Sequence, residues 1–320
     1  MSKYSKPRAG SLQVWPRVRA NRPYARIRNW VKKEEVKILG FLGYKVGMTH
    51  AIVKDNTLNS ITKGQIISVP ITILECPPLG VLSLRFYKKS FDGLKIVSEV
   101  FSKNIDKEVK RRVLFNKKDN EIPKEFDDIR IVVYSKPKLA CVKRKKPEII
   151  ELGVSGNDNN KKLELLKGFL DKDIKISDIF KTGQLLDIHG VTKGKGFQSP
   201  IKRFGVKRLS HKSKKKVRGI GTMGPWHPHK VRYSVPNTGK MGYHQRTEYN
   251  KLLLKLGDNL GDISKIGGFN KYGFVKNNYL LIKGSVVGTV KRAVILTEPI
   301  RAINKPESFE IISLNIDVKK

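Results

Sequence analysis

Short runs of alternating or continuous apolar residues dominate two parts of the chain and are missing from two others. The first strand-like region begins at Val36. VKILGFLGYKVGMTHAIV is apolar and broken by Gly40, Gly43 and Gly47, which predicts two short strands with a tight connection. IISVPITILECPP (66–78) and GVLSLRFYKKS (80–90) read as further strands, and Asp92-Gly93 marks a hairpin turn. Repeated short strands with glycine turns predict a small barrel, not a helical bundle. Between 95 and 180 the texture is mixed. IDKEVKRRVLF (105–115) has apolar positions at helical spacing, and DDIRIVVYSK (127–136) reads as a strand. KKLELLKGFL (161–170) reads as a helix capped by Asn159 or Asn160, after a polar loop over 153–162. Strand character returns over 174–190 and again over 267–300.

The two remaining stretches have no apolar period that could form a packing face. Residues 1–35 are broken by Pro7, Gly10, Pro16 and Pro23 and read as an extended arm. The second, around Val191 to Lys251, is a long excursion between strand regions. Loops of that length are functional or disordered. The resulting organisation is a basic arm (1–35), a first barrel part (36–94), an α+β insertion (95–180), a barrel strand (181–190), a basic central loop (191–254) and a second barrel part with the C-terminus (255–320). The fold class is mainly β, a β-barrel with an α+β insertion and long basic extensions.

Charge changes this picture from a fold with loose ends to one with a partner. The chain of 320 residues carries 66 Lys and Arg against 28 Asp and Glu, a net +38. Residues 1–33 hold ten cations and no acid, and 191–251 hold sixteen cations and one acid, Glu248. Thus 94 residues carry 25 of the 38 excess charges. Nucleic acid neutralises such stretches by displacing counterions along its backbone. A membrane surface would need a basic amphipathic helix with an apolar face, and neither stretch has one. There is no 18-residue apolar run and no apolar signal core at the N-terminus, and the two cysteines, Cys76 and Cys141, form no metal-ligand spacing. These features predict a cytosolic or nuclear protein with no membrane partner and no small-molecule substrate.

The candidate contacts follow from side-chain chemistry. In the arm, Arg8, Arg17, Arg19, Arg22, Arg26 and Arg28 are placed for phosphates, with Trp15 among them. Tyr24 and Trp30 suit stacking on bases. In the loop, Lys193 and Lys195 alternate with Gly194 and Gly196, which allow backbone amides close to a phosphate. Lys202, Arg203, Lys207 and Arg208 follow, then Lys212, Lys214, Lys215, Lys216 and Arg218. Trp226 lies between Gly224-Pro225 and Pro228, a rigid aromatic at a bend, flanked by His227 and His229. Lys230, Arg232, Tyr243, His244 and Arg246 line the return leg, where the last three can clamp RNA.

Two competing readings meet obstacles in the same residues. Gly219-Ile-Gly221-Thr-Met-Gly224 matches a dinucleotide fingerprint by letter, but KSKKKVR precedes it and PWHPHK follows, where a strand and a helix are required. An RNA-modifying or cleaving enzyme could use His227, His229 and His244 with Glu248. There is no carboxylate pair, no cofactor loop and no nucleophile with an ordered base to support it. No intrinsic cofactor is expected; Mg2+ would be shared with phosphates.

VTKGKGFQSPIKRFGVKR, GPWHPHKVRYSVPNTGKMGYHQRTEYNK and GFLGYKVGMTH resemble the universal L-three family of large-subunit ribosomal proteins. KPRAGSLQVWPR resembles the family's archaeal and eukaryotic branch, and the length its archaeal members. The resemblance implies a translation-protein-type barrel with an α+β insertion, and direct, early binding to large-subunit ribosomal RNA. It implies an arm and central loop that run toward the peptidyl transferase centre, with Trp226 nearest to it and influencing tRNA accommodation. It also implies neighbouring ribosomal proteins, an indirect relation to elongation factors through the sarcin–ricin region, and no enzymatic activity. Three positions depart from the family's pattern: Lys240 where Gln is usual, Phe204 where Trp is common, and Ser199 where Gly is common.

Overall fold

The computed structural model describes residues 14–113, 121–213, 215–302 and 307–315. The chain divides into two compact units. One combines Met1–Arg22 with Val191–Gln245, and the other combines Pro23–Gly190 with Arg246–Lys320.

The larger unit is built on β-sheet. Its strands, in chain order, are β1 (Gly40–Asp55), β2 (Ile66–Glu75), β3 (Gly80–Ser90), β4 (Gly93–Phe101), β5 (Asp128–Tyr134), β6 (Ile149–Gly153) and β7 (Leu185–Val191). After β8 (Phe197–Gln198) and β9 (Gly239–Lys240), which belong to the smaller unit, come β10 (Gln245–Gly257), β11 (Tyr279–Lys283), β12 (Ala293–Thr297) and β13 (Phe309–Asn315). Seven strands form one sheet in the order β12-β7-β10-β11-β2-β1-β13, and β1 also pairs with β12. Strands β4-β3-β5-β6 form a second sheet. The buried faces of both sheets share one core, with Phe41, Tyr44, Ile73, Leu280 and Leu296 from the first and Phe86, Ile131 and Leu152 from the second.

The first strand region is one strand, not two. β1 runs unbroken for 16 residues, pairing with β12 through Gly40–Tyr44 and with β2 from Tyr44 onward, with a bulge between Lys45 and Gly47. Its glycines make room where a turn was expected. A Cβ at Gly43 would lie 2.9 Å from the Cys76 sulfur, and one at Gly40 3.1 Å from Leu152. The predicted helix over 105–115 is reduced to a 3-10 turn at Val109–Arg111, with residues 114 and 115 outside the described set. Val109 alone is buried there, against Leu82, Val132 and Tyr134, so one side chain anchors the turn where a helix needs a stripe. The helix expected near 161–170 is present as α1 (Asn159–Phe169), but Asp158 stands at the cap. It packs Leu166 into the core.

The N-terminal aromatics correct a second expectation. Tyr24 and Ala25 are buried, and Tyr24 is held by Arg112, whose Nη2 donates to its hydroxyl at 3.2 Å. Trp30 lies across β6. A Cβ on Gly153 would meet its ring at 2.5 Å. Tyr24 therefore sits in the larger unit's core and Trp30, half-buried, packs against it, instead of standing free for bases. Lys33 and Lys37 form ion pairs with the buried Glu298, and these two cations hold its carboxyl below the usual range against the opposing effect of burial. Among the described residues, no helix is long and apolar enough to cross a membrane.

Candidate nucleic-acid interface

Strands β7 and β10 are neighbours in the large sheet, and the central stretch leaves the chain's sheet at the end of one and rejoins it at the start of the other. The smaller unit, formed by this stretch and residues 1–22, contains 20 Lys and Arg and no Asp or Glu. It has no internal acid to pair with any of its cations. What holds it together must be uncharged hydrogen bonds, ring contacts and guanidinium stacking.

Those contacts are concentrated at its root. Thr192 N donates to His244 O at 2.9 Å, while Lys195 N donates to Met241 O and Met241 N to Gly196 O, each at 2.9 Å. Between these rungs Gly242 has φ +75, and a Cβ there would lie 1.9 Å from the Lys193 carbonyl oxygen. This position admits glycine alone. β8 and β9 close the ladder through Phe197 opposite Lys240.

The arm is laid along this root. Ala20 N donates to Tyr243 O at 2.8 Å, and His244 Nδ1 donates to Val18 O at 2.7 Å. Because a carbonyl only accepts, the Nδ1 carries the proton. Arg19 stacks over Tyr243 with 5.2 Å between guanidinium carbon and ring centre. His244 is 7% exposed, so the ring expected to clamp RNA is occupied in tying arm to loop.

A second pin lies on α2 (Pro200–Phe204). Ser199 caps this short helix, accepting from Ile201 N, Pro200 supplies a preset φ at its first turn, and Gly205 ends it in the left-handed conformation. The Ser199 hydroxyl also donates to Arg218 O at 2.8 Å. Phe204 is buried. Trp15 stacks on it at 6.1 Å and 13°, and Tyr233 meets Trp15 edge-on at 6.0 Å. Arg17 lies over Phe204 at 4.6 Å, and its Nη1 donates to Arg203 O at 3.4 Å. Arg203 donates from Nη1 to Asn237 O at 3.0 Å. Burial, and the charge of Arg17 beside it, lower the Arg203 guanidinium pKa from its ordinary value.

Beyond the two pins the loop has no core. No described residue from 206 to 237 is buried. Lys202, Lys207, Arg208, Lys212, Lys215, Lys216, Arg218, Lys230 and Arg232 are exposed, as are Lys193 and Lys195 at the root and Arg19 and Arg22 in the arm. Arg8 and Lys214 lie outside the described residues. Trp226 is 78% exposed, with His229 edge-on to it at 5.0 Å and His227 against His229 at 4.7 Å. The three rings make a small aromatic knob at the far end of the loop. Arg26, Arg28 and Arg246 belong to the larger unit; the first two are exposed and Arg246 is half-buried.

The competing chemistries find no geometry. Gly219, Gly221 and Gly224 lie in a loop without strand or helix, so the dinucleotide fingerprint has no frame. Among the described residues no group of three or more His, Cys, Asp or Glu could hold a metal ion. Glu248 lies 3.6 Å from Lys251 in an ion pair. What reading the sequence missed is the pair of pins. Ser199-Pro200 followed by Gly205 is a short-helix signal that was available, whereas the packing of Phe204 on Trp15 joins residues too distant in sequence for any local pattern to show.

The family model for ribosomal protein L3 matches residues 1–121 and 114–318. The chain is 44% identical to large ribosomal subunit protein uL3 of Methanocaldococcus jannaschii over 308 residues, covering 93% of this chain and 92% of that protein. It is 43% identical to the uL3 of Picrophilus torridus, covering 98% and 97%, and 42% identical to that of Archaeoglobus fulgidus, covering 93% of each. Matches of this extent along the whole chain leave one assignment: it belongs to the ribosomal protein L3 family.

Proposed function

We infer that this chain is a structural constituent of the large ribosomal subunit, binding ribosomal RNA through its acid-free unit, and that it is not an enzyme. One observation carries the reading. Twenty cations share a unit with no acid, pinned at its root and coreless beyond. Only a polyanion can neutralise it, and bent, glycine-rich segments with exposed rings suit irregular folded RNA better than a uniform duplex.

The finer assignments rest on the family resemblance and on the exposure just described. Exposed lysines and arginines of the loop and arm neutralise phosphates. The knob of Trp226, His227 and His229 reaches toward the peptidyl transferase centre and stacks on or wedges between bases. Arg26, Arg28 and Arg246 add contacts from the larger unit. Any Mg2+ at the interface takes its ligands mainly from phosphates. The pairing of β1 with β12, at the far end of the sheet order, supports a closed barrel as the body that carries these extensions. That body lies beside neighbouring ribosomal proteins and toward the elongation-factor side.

The test is sedimentation of cell extract through gradients at moderate and high salt. The chain should travel with large subunits and survive the high-salt wash. Release at moderate salt would mean peripheral binding and would sink the structural role. For the knob, chemical probing of the RNA in subunits carrying Trp226→Ala should change reactivity near the peptidyl transferase centre; an unchanged pattern there would remove Trp226 from that site.

A further inference from the structure

The larger unit carries an acid-free surface of its own, formed by two segments. Residues 136–147 join β5 to β6, and residues 264–278 lead into β11. Together these 27 residues hold nine Lys and Arg and no Asp or Glu. Three of the nine are committed within the chain: Lys136 to Asp106 and Asp173, Lys138 to Glu108, and Arg144 to Glu148. The other six, Lys143, Lys145, Lys146, Lys265, Lys271 and Lys276, form no ion pair among the described residues. All but the half-buried Lys265 are exposed.

Buried carboxylates anchor both segments from within. Glu75 is fully buried, and its Oε1 accepts from Lys276 N at 2.8 Å, Asn277 N at 3.0 Å and Asn277 Nδ2 at 2.8 Å, while its Oε2 accepts from the Tyr272 hydroxyl. Asn277 Nδ2 also donates to Leu139 O at 3.0 Å, which ties the second segment to the first. A Cβ on Gly273 would meet the Cys141 sulfur at 3.5 Å, so the two are packed together there. In the first segment the buried Glu148 holds Arg144 and accepts from the Tyr44 and Ser135 hydroxyls at 2.7 and 2.8 Å. These two acids are turned inward as anchors, and the unpaired lysines lie outside them. Lys143 adjoins the anchored Arg144, and Lys271 adjoins the anchored Tyr272. Both lysines have left-handed backbone, φ +58 and +64. That conformation is unfavourable for a lysine, persists only where the surroundings enforce it, and clusters at ligand clamps.

We propose that these two loops form a separate site for the phosphates of ribosomal RNA, independent of the arm and central loop, with Asn277 as the positioning residue that holds Lys143, Lys271 and Lys276 in one array. Unpaired cations on an ordered support match a phosphate backbone. The Phe274 ring, 55% exposed beside Gly273, adds a face on which a base can stack, which favours RNA over an acidic peptide. The inference rests on the ribosomal reading, which supplies the RNA.

The test titrates the full-length chain with large-subunit ribosomal RNA over a series of salt concentrations. Combining Lys143→Ala, Lys271→Ala and Lys276→Ala should flatten the plot of log affinity against log salt by about 2.1–2.7, the loss of three phosphate contacts. Combining Lys54→Ala, Lys63→Ala and Lys172→Ala removes the same charge from exposed positions of the same unit and should leave the slope unchanged. Asn277→Ala alters no charge and should flatten the slope by at least about 0.7, one contact; a merely structural Asn277 would lower the melting temperature and leave the slope alone. In assembled large subunits, photoreactive p-benzoyl-phenylalanine in place of Phe274 should join to RNA. An unchanged slope in the Lys143, Lys271 and Lys276 variant, an equal loss in the control variant, or capture of a protein at position 274 would overturn the proposal alone. Failure of the unaltered chain to bind the RNA would overturn the ribosomal reading and this inference with it.

Discussion

Phe204→Ala should release the N-terminal arm from the central loop while leaving the large sheet folded. Phe204 is 3% exposed and lies under both Trp15 and Arg17. Burying a phenylalanine is worth about 1.5–3 kcal/mol. The ring stack adds roughly 0.5–1.5 kcal/mol, and the guanidinium, at a site open to water, about 0.5–1 kcal/mol. The low ends apply, because this is a small cluster and not a deep core. A loss of about 2.5 kcal/mol results, just under the deep-core range for Phe→Ala, or roughly two orders of magnitude in the local opening equilibrium. Limited trypsin digestion of the free full-length chain reads that equilibrium, since cleavage follows the open population when opening and closing are fast. Cleavage after Arg17 and Arg19 should accelerate about a hundredfold, or until it reaches the rate of an unstructured peptide. Cleavage after Lys215, in the coreless part of the loop, should not change. Phe204→Trp, which keeps an aromatic face under Trp15 and Arg17, should keep the arm protected. If Arg17 and Arg19 are cut at the wild-type rate in Phe204→Ala, while circular dichroism shows the sheet intact, the ring is not the pin.

Four further outcomes are expected. Gly153→Ala should destabilise the larger unit by about 1–3 kcal/mol, because its Cβ would sit 2.5 Å from the Trp30 ring; adding Trp30→Ala should recover part of that loss in thermal melts, and no recovery would mean that the strain lies elsewhere. His189 is buried between Thr247 and Thr297, at 2.9 and 3.0 Å, and burial lowers its pKa despite Asp187 nearby. Its neutral form is therefore favoured in the fold, so stability should fall as pH drops below the unfolded value of about 6.5, where the unfolded chain takes up a proton first; melts of His189→Gln should lose that part of the slope, and identical slopes would exclude the histidine. Trp226→Ala should leave the melting temperature of the free protein unchanged within the equivalent of about 0.5 kcal/mol, while slowing translation by reconstituted ribosomes; a large stability loss would make the ring structural. Replacing Lys215 and Lys216 together by Ala should weaken ribosomal RNA binding across sequences and flatten the plot of log affinity against log salt by about 1.4–1.8; an unchanged slope would place neither lysine on a phosphate.

The strands and the partner's charge were legible because both are local or additive. Period-two runs over 66–90 and 127–136 became β2, β3 and β5, and the excess of lysine and arginine is a count that needs no structure. Legibility failed where one residue type serves two purposes. Glycines at 40, 43 and 47 look like turn signals, yet all three lie in a continuous strand, and those at 40 and 43 make room for Leu152 and Cys76. Tyr24 and Trp30 stand among arginines as RNA-stacking residues do, but their faces are used against β6 and Arg112. Trp15 keeps the same company and is half-buried on Phe204. In each case the deciding neighbour lies tens to hundreds of residues away, so no window along the chain contains it.

The smaller unit also explains why its order stops where it does. Twenty like charges resist compaction, and in water each pair at 4 Å opposes contact by about 1 kcal/mol. Ordinary proteins offset this with carboxylates, and this unit has none. Its pins therefore use groups whose attraction does not depend on a negative side chain. Backbone amides meet carbonyls at Ala20, Thr192 and Met241, and a histidine meets the Val18 carbonyl. The ring faces of Phe204 and Tyr243 accept the guanidiniums of Arg17 and Arg19. Such contacts suffice at the root, where two strands hold the chain ends and each pin closes a short path. They cannot extend over 206–237, where cations continue but rings and ladder partners thin out. An added carboxylate there would stabilise the free protein, but in the proposed function it would also stand against the phosphates that the exposed lysines neutralise. The absence of acids is thus a cost to the free chain, and in the proposed function it is recovered on RNA, which would order the loop beyond the pins.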